Sequence, residues 1–138
     1  MNKLKITLIQ SDLVWENREE NLKNFSDKIS QAEEKVDIII LPEMFTTGFS
    51  MQSKKFAEPM NDVSMNWMHQ KAKEKQSSIV GSLIIEEDKN YYNRHIWMKP
   101  DGKYQFYDKR HLFRMSGEHE HFTPGNKRQI VEFKGWKF

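Results

Sequence analysis

The stretch "VDIIILPEMFTTGFS", residues 36–50, decides the fold. Four apolar residues, from Ile38 to Leu41, run without interruption into Pro42, and the acidic residue Glu43 follows. A continuous apolar run is typical of a strand that is buried on both faces of a sheet, and proline ends such a strand. In α/β folds, functional side chains gather where buried strands end, because the loops there rise from a rigid base. Glu43 is therefore either a candidate general base or a surface acid that opens a loop.

The composition is that of a globular protein with one modest domain. The 138 residues are 37% apolar and 30% charged, and the formal charge of +2 is too small to indicate nucleic-acid binding. No apolar run approaches the roughly 20 residues of a membrane-spanning helix, and the N-terminal stretch "MNKLKITLIQ" lacks the apolar core of a secretory signal. The sequence contains no cysteine, which excludes disulfides and thiolate metal sites and favours a cytoplasmic location.

Hydrophobic periodicity predicts an α/β sheet with helices packed on it, in the order β-α-β-α-β-β-β. The predicted strands are 4–10, 37–42, 77–87, the two arms of a hairpin within 91–113 that turns at Pro100-Asp101-Gly102, and 129–133. The predicted helices are 17–35, with Leu22, Phe25, Ile29 and Ala32 at helical spacing, and 62–75, capped by Asp62, with Met65, Met68 and Ala72 inward. We expect one loop over 44–60 and another from 117 to the strand at 129–133, which contains Pro124-Gly125.

Lys109 stands at the end of the second hairpin arm, in "YDKRHLF". Alternation along a strand puts Lys109 on one face with Gln105 and Tyr107, and puts Phe106 and Asp108 on the other. A lysine ammonium that is held in a dry site stabilises developing negative charge, so Lys109 is a candidate ligand of an oxyanion. The alternative is a surface lysine whose aliphatic stem covers its apolar neighbours.

The stretch "SGEHEHF" places Glu118, His119, Glu120 and His121 in succession. Two histidines at i and i+2 share a face of an extended chain and could bind a metal, although a metal site normally has three or four ligands. The alternative is a polar loop with two ordinary histidines. Either acid could instead approach the candidate base and orient the lysine.

Four stretches together resemble the carbon–nitrogen hydrolase (nitrilase) superfamily: "LPEMFTTGFS", "YYNRHIWMKPDGK", "YDKRHLFRMSGEHEHFTPG" and "GWKF". The combination is specific, since a Pro-Glu pair at a strand exit is followed by Lys-Arg-His-Leu-Phe and then by a Pro-Gly loop. The likeness runs over the whole chain and is strongest to the omega-amidase branch, which deaminates small monoamides of dicarboxylates such as 2-oxoglutaramate. It implies the N-terminal part of a four-layer α-β-β-α sandwich.

Members of this superfamily use a glutamate, a lysine and a cysteine, with a further glutamate beside them. The resemblance implies that Glu43 is the general base, that Lys109 stabilises the tetrahedral oxyanion, and that Glu118 is the additional acid. Glu120 stays open as an alternative for that last role. The resemblance also implies a small amide as substrate, no metal or organic cofactor, and a homo-oligomer for the full-length protein.

The cysteine nucleophile of the family has no counterpart in this sequence. The resemblance places it about one strand length, roughly 5–10 residues, beyond "GWKF". We therefore expect the chain to be an incomplete carbon–nitrogen hydrolase domain whose C-terminal part is absent, and to be inactive alone. We also expect the inner residues of 4–10, 37–42 and 77–85 to lack part of their cover. The alternatives are a non-catalytic module that binds an amide or carboxylate or pairs with another chain, and a metal-binding protein built on His119 and His121.

Overall fold

A mixed five-stranded sheet forms the centre of the computed structural model, which describes residues 3–32 and 35–138. Its strands, in spatial and sequence order, are β1 (Ile6–Leu8), β2 (Ile38–Ile40), β3 (Ser78–Glu87), β4 (Asn90–Met98) and β5 (Tyr104–Asp108). The first three strands are parallel, and β4 and β5 continue the sheet antiparallel. A separate hairpin pairs β6 (Glu132–Phe133) with β7 (Trp136–Lys137).

Three of the helices connect the parallel strands, and a fourth follows β5. They are α1 (Arg18–Gln31), α2 (Ser53–Phe56), α3 (Val63–Lys75) and α4 (Glu118–His121), with a 3-10 turn at Arg114–Ser116. Asp62 caps α3, because its carboxylate accepts the backbone N–H of Val63 at 2.8 Å. No helix in the described ranges is both long enough and apolar enough to cross a membrane.

One face of the sheet is covered by α1 and α3. The inward positions that periodicity predicts are buried on both helices, namely Leu22, Phe25, Ile29, Met65, Met68 and Ala72. They join a single apolar cluster with Ile39, Ile79 and Ile96 of the sheet. The predicted order of the main strands and helices is therefore confirmed. The inward faces of both long helices are confirmed as well, except at Ala32, which follows the end of α1 and is half-buried.

Several element boundaries differ from the prediction. β1 has three residues, and α1 ends at Gln31, since Ala32 adopts an extended conformation with ψ 153°. Residues 33 and 34, which the predicted helix included, lie outside the described residues. The predicted loop 44–60 contains α2, and the loop expected around Glu118 contains α4. Helices of a single turn offer no periodicity from which to predict them.

The second face of the sheet is covered in part by the end of the chain. The predicted strand at 129–133 is reduced to β6, whose Phe133 ring lies 5.7 Å from the Trp97 ring, centroid to centroid. Ser78–Ile85 is buried throughout, so the poor cover expected for 77–85 is wrong. The end of the chain supplies part of this cover, since Val80 packs with Trp97 and Phe133, whereas Ile84 packs with Phe122. Poor cover is seen at β1, where Ile6 is 44% and Leu8 is 73% exposed.

Gly81 makes room for the residue that anchors the loop after β2. A Cβ at this position would lie 2.9 Å from Cδ1 of Phe45, whose ring is fully buried between Phe25 and Trp67, and 3.1 Å from Cβ of Leu41. We expect Gly81→Ala to lower the free energy of unfolding by about 1–3 kcal/mol through overpacking. Urea denaturation followed by circular dichroism measures the change.

Ser78→Ala is the control on the same strand. The Ser78 hydroxyl is buried and has no hydrogen-bond partner among the described residues, so its removal is expected to be close to neutral. Equal stability of the Gly81→Ala variant and the natural chain would show that Phe45 can move aside without cost.

Candidate active site

Glu43 is held at the exit of β2 by hydrogen bonds on both sides. The Leu41 N–H donates to the Val80 carbonyl at 2.7 Å, and the Met44 N–H donates to the Ser82 hydroxyl at 2.8 Å. Met44 has φ +46°, a left-handed conformation that residues other than glycine rarely adopt. The chain therefore turns at Met44 while its backbone stays bound to β3, and the sheet fixes the position of Glu43.

Lys109 is fixed in a similar way one residue beyond β5. Its N–H donates to the Asn93 carbonyl at 2.9 Å, and its own carbonyl accepts the Gly125 N–H at 3.0 Å. A Cβ on Gly125 would lie 2.1 Å from the carbonyl oxygen of Asp108, so only glycine allows this approach. The Pro-Gly loop noticed in the sequence thus holds the backbone of the lysine.

Four side chains from four segments meet in one hydrogen-bonded cluster. The Lys109 ammonium lies 2.9 Å from Oε1 of Glu43 and 2.9 Å from Oε2 of Glu118. The Asn93 amide donates to Oε1 of Glu43 at 2.7 Å and to Oε1 of Glu118 at 3.0 Å. The structure therefore brings together the three residues named from the sequence and adds Asn93, which sequence reasoning missed.

The Glu118 carboxylate is fully buried. Burial raises its pKa, but the Phe113 N–H, the Asn93 amide and Lys109 all donate to the charged form, and the net pKa lies below its usual range. For Lys109, burial lowers the pKa, whereas the hydrogen bonds and charges of Glu43 and Glu118 raise it, and the net pKa is raised. At neutral pH the site therefore contains an ammonium group beside an ionised Glu118.

The two carboxylates differ in how many donors they meet. Both oxygens of Glu118 are occupied, since Oε1 accepts from Asn93 and Oε2 accepts from the Phe113 N–H at 2.6 Å and from Lys109. In Glu43, Oε1 accepts two donors, while no donor in the described part of the chain contacts Oε2. The Glu43 side chain is also 50% exposed. Oε2 of Glu43 is therefore the oxygen that can receive a proton.

A cavity of about 470 Å³ opens beside this cluster. It is lined by Glu43, Phe49, Lys109, His111, Leu112, Phe113 and Arg114. The Lys109 ammonium lies 5.0 Å from the centroid of the Phe49 ring, within the range of a cation–π contact. None of the described residues that line the cavity has a thiol or hydroxyl group that could act as a nucleophile.

The second acid of the pair, Glu120, does not join the cluster. Its side chain is 70% exposed and approaches His119, with Nε2 of the histidine 3.9 Å from Oε1 of the acid. In a helical turn such as α4, residues i and i+2 do not face the same way, which separates Glu118 from Glu120. Over residues 3–32 and 35–138, no three histidine, aspartate or glutamate side chains are grouped to hold a metal ion.

A second polar cluster fixes the same strands from the opposite face of the sheet. Arg94 is 1% exposed and binds Asp108 through two hydrogen bonds, of 2.6 and 3.0 Å. Its Nη2 also lies 2.9 Å from Glu87, and its guanidinium carbon lies 4.0 Å from the centroid of the Phe106 ring. Paired guanidinium–carboxylate hydrogen bonds are geometrically specific, so this cluster sets the alignment of β4 and β5 beside the site.

Comparison with known proteins agrees with this geometry. Residues 5–138 match the family model described as carbon-nitrogen hydrolase. The chain belongs to the carbon-nitrogen hydrolase family. This match confirms the membership of the carbon–nitrogen hydrolase superfamily that the sequence predicted, and it confirms that the family is one of hydrolases.

Two curated members of the family are similar over almost the whole chain. Omega-amidase YafV of Escherichia coli K12 is 43% identical over 134 residues, which are 97% of this chain and 52% of the relative. The 2-oxoglutaramate amidase of Bacillus subtilis is 27% identical over 138 residues, which cover 98% of this chain and 53% of the relative. The chain spans about half the length of the curated relatives it matches.

Solved structures of carbon-nitrogen hydrolases confirm the α/β fold. A superfamily protein from Xanthomonas campestris, with an arsenic adduct in its active site, has a TM-score of 0.95 and 36% identity. The match covers 99% of this chain and 52% of that one. Nit3 of Saccharomyces cerevisiae shows the same fold, with a TM-score of 0.82 and 24% identity over 97% of this chain and 53% of its own.

The burial of Glu118 leads to a prediction about stability and pH. We expect Glu118→Gln to lower the free energy of unfolding at pH 7 by about 1–3 kcal/mol, because Lys109 and the Phe113 N–H lose a charged acceptor. Since the pKa of Glu118 is lowered in the folded chain, its stabilisation is complete above the unfolded-state pKa of about 4.3. It is lost as the pH falls through the lower folded-state pKa. The variant should therefore differ less from the natural chain in acid, as measured by urea denaturation at several pH values.

Glu120→Gln is the matched control, two residues away and exposed. It should leave the free energy of unfolding nearly unchanged at every pH. A larger effect of Glu120→Gln than of Glu118→Gln would contradict the arrangement described here.

Proposed function

We propose that this chain provides the base and the lysine of an amidohydrolase that acts on small omega-amides of dicarboxylates, of the 2-oxoglutaramate kind, and releases ammonia. The observation that carries the proposal is the Lys109 ammonium, 2.9 Å from each of Glu43 and Glu118 at the wall of a cavity. The substrate class is supported by the curated relatives, which are an omega-amidase and a 2-oxoglutaramate amidase.

Each residue of the cluster has a distinct role in the proposed reaction. Glu43 is the general base through Oε2, the oxygen that no described donor contacts. Lys109 stabilises the oxyanion, since it is a fixed cation at the cavity wall. Glu118 and Asn93 are positioning residues, because they hold Lys109 and Glu43 without an open position for substrate.

The reaction is an acyl transfer through a cysteine thiol. Glu43 takes the thiol proton while the sulfur bonds to the amide carbonyl carbon, and Lys109 stabilises the negative charge that moves to the carbonyl oxygen. Cleavage of the C–N bond transfers the proton from Glu43 to the leaving nitrogen, so that ammonia departs and a thioester remains. Glu43, again a carboxylate, takes a proton from the water that attacks the thioester carbonyl. It then passes this proton to the sulfur as the C–S bond breaks and the carboxylic acid leaves.

The nucleophile is not among the residues of this chain, since the sequence contains no cysteine. We propose that residues 1–138 are an N-terminal part of the catalytic domain and that a further segment supplies the thiol. The proposal is supported by the relatives, of whose length the chain spans about half.

A second candidate function is a non-catalytic module that binds an amide or a carboxylate, or that pairs with another chain. The lack of a thiol or hydroxyl among the described residues of the cavity wall favours it. Sequencing the gene beyond the codon for Phe138 separates the two functions. A cysteine within a strand length, followed by an aromatic residue and an acid, would support the enzyme.

The chain itself is expected to have no amidase activity. Removal of a nucleophile leaves only weak effects of binding and of the oxyanion site. Ammonia released from glutaramate by the purified chain, measured against the Glu43→Gln variant as baseline, checks this expectation. Turnover clearly above that baseline would show that catalysis does not need a thiol from another segment.

In a longer chain that contains the cysteine, the cluster should control turnover. We expect Glu43→Gln to lower kcat by about 10²–10⁴-fold and Lys109→Ala by about 10²–10³-fold. Glu120→Gln, whose side chain is exposed outside the cluster, should leave kcat unchanged. Normal turnover in either of the first two variants would refute the role given to that residue.

A further inference from the structure

The cluster at the cavity wall has a net negative charge. Glu43 and Glu118 contribute two carboxylates, and Lys109 contributes one ammonium. A monoamide of a dicarboxylate would bring another carboxylate into the same cavity. Because like charges repel each other, a cation elsewhere on the cavity wall would favour such a substrate.

Arg114 is placed to be that cation. Of the described residues that line the cavity, Lys109 and Arg114 are the two with a lysine or arginine side chain. Lys109 is already paired with two carboxylates, whereas no carboxylate in the described part of the chain forms an ion pair with Arg114, which is exposed. By contrast, the buried Arg94 is bound to both Asp108 and Glu87.

The backbone of Arg114 is tied to the catalytic cluster. Arg114 opens the 3-10 turn, and its carbonyl accepts the Gly117 N–H at 3.0 Å. The preceding residue, Phe113, donates its N–H to Glu118 at 2.6 Å, and the same carboxylate holds Lys109. Glu118 therefore positions both cations of the cavity wall. It binds the ammonium group of Lys109 directly, and it holds Arg114 through the backbone N–H of the preceding residue, Phe113.

We propose that Arg114 binds the free carboxylate of a dicarboxylate monoamide while Lys109 faces its amide carbonyl. This inference rests on the proposed function. A guanidinium offers two parallel N–H donors that match the two oxygens of a carboxylate. A simple amide has no group for Arg114 to bind, so this residue gives the cavity its preference for omega-amides.

The test measures binding to the chain itself, which has no thiol to consume the amide. The probes are glutaramate and butyramide, which share the amide end and differ in the distal carboxylate. Saturation-transfer difference NMR gives both affinities. We expect glutaramate to bind about tenfold more tightly, as one charged hydrogen-bonded pair warrants. Arg114→Gln should abolish this preference and leave butyramide binding unchanged.

Arg110→Gln is the matched control, because Arg110 is exposed and is not part of the cavity wall. It should keep the preference for glutaramate. Equal affinities of the two amides for the natural chain, or an unchanged preference in Arg114→Gln, would overturn the role of Arg114 and leave the proposed function standing. Failure of both amides to bind the natural chain would overturn the proposed function together with this inference.

Discussion

The burial of one carboxylate organises the whole site. Glu118 has no exposed surface, and an ionised group removed from water costs many kcal/mol unless donors compensate for it. Here the Phe113 N–H, the Asn93 amide and the Lys109 ammonium supply that compensation. These donors come from a strand, a strand end and a loop, so ionisation of Glu118 requires all three segments to be in place together.

The antiparallel pair of β4 and β5 brings two of these donors together. Asn93 and Lys109 are neighbours across the ladder, because the Lys109 N–H donates to the Asn93 carbonyl. One residue away, Arg94 and Asp108 form the next pair and join the strands on the opposite face. The two faces of this strand pair thus have different roles. One face holds the alignment through a buried ion pair, and the other presents an amide and an ammonium group to two glutamates.

Glu43 and Lys109 could be predicted as candidates from the sequence, because each ends a recognisable strand and both belong to a family pattern. The faces of β5 also followed from alternation, since Asp108 and Phe106 contact Arg94 while Lys109 contacts Glu43. Asn93 could not be predicted. It is one polar residue within an aromatic strand, and its importance depends on the register that pairs it with Lys109.

The choice between Glu118 and Glu120 stayed open in the sequence for a related reason. A stretch read as a loop has no defined side-chain directions, and two acids two residues apart look equivalent in it. The single turn of α4 makes them different, since it turns Glu118 inward and leaves Glu120 exposed. The burial of β3 was missed because it depends on segments far along the chain, since Val80 packs near Phe133 and Ile84 packs with Phe122.

The two glutamates illustrate how the number of donors, rather than residue type, sets a chemical role. In the proposed reaction, a proton moves from the thiol to Oε2 of Glu43, and the total charge of the site does not change. Glu43 then has no charge with which to hold Lys109, so one N–H of the ammonium becomes available to the sulfur and afterwards to the oxyanion. Glu118 does not compete for the proton, because both of its oxygens already accept hydrogen bonds. Lys109 lies between Glu118, whose two oxygens both accept hydrogen bonds, and Glu43, which has one oxygen without a donor among the described residues. The lysine can therefore keep its bond to Glu118 and stay in position while it transfers a single hydrogen bond from Glu43 to the reacting group.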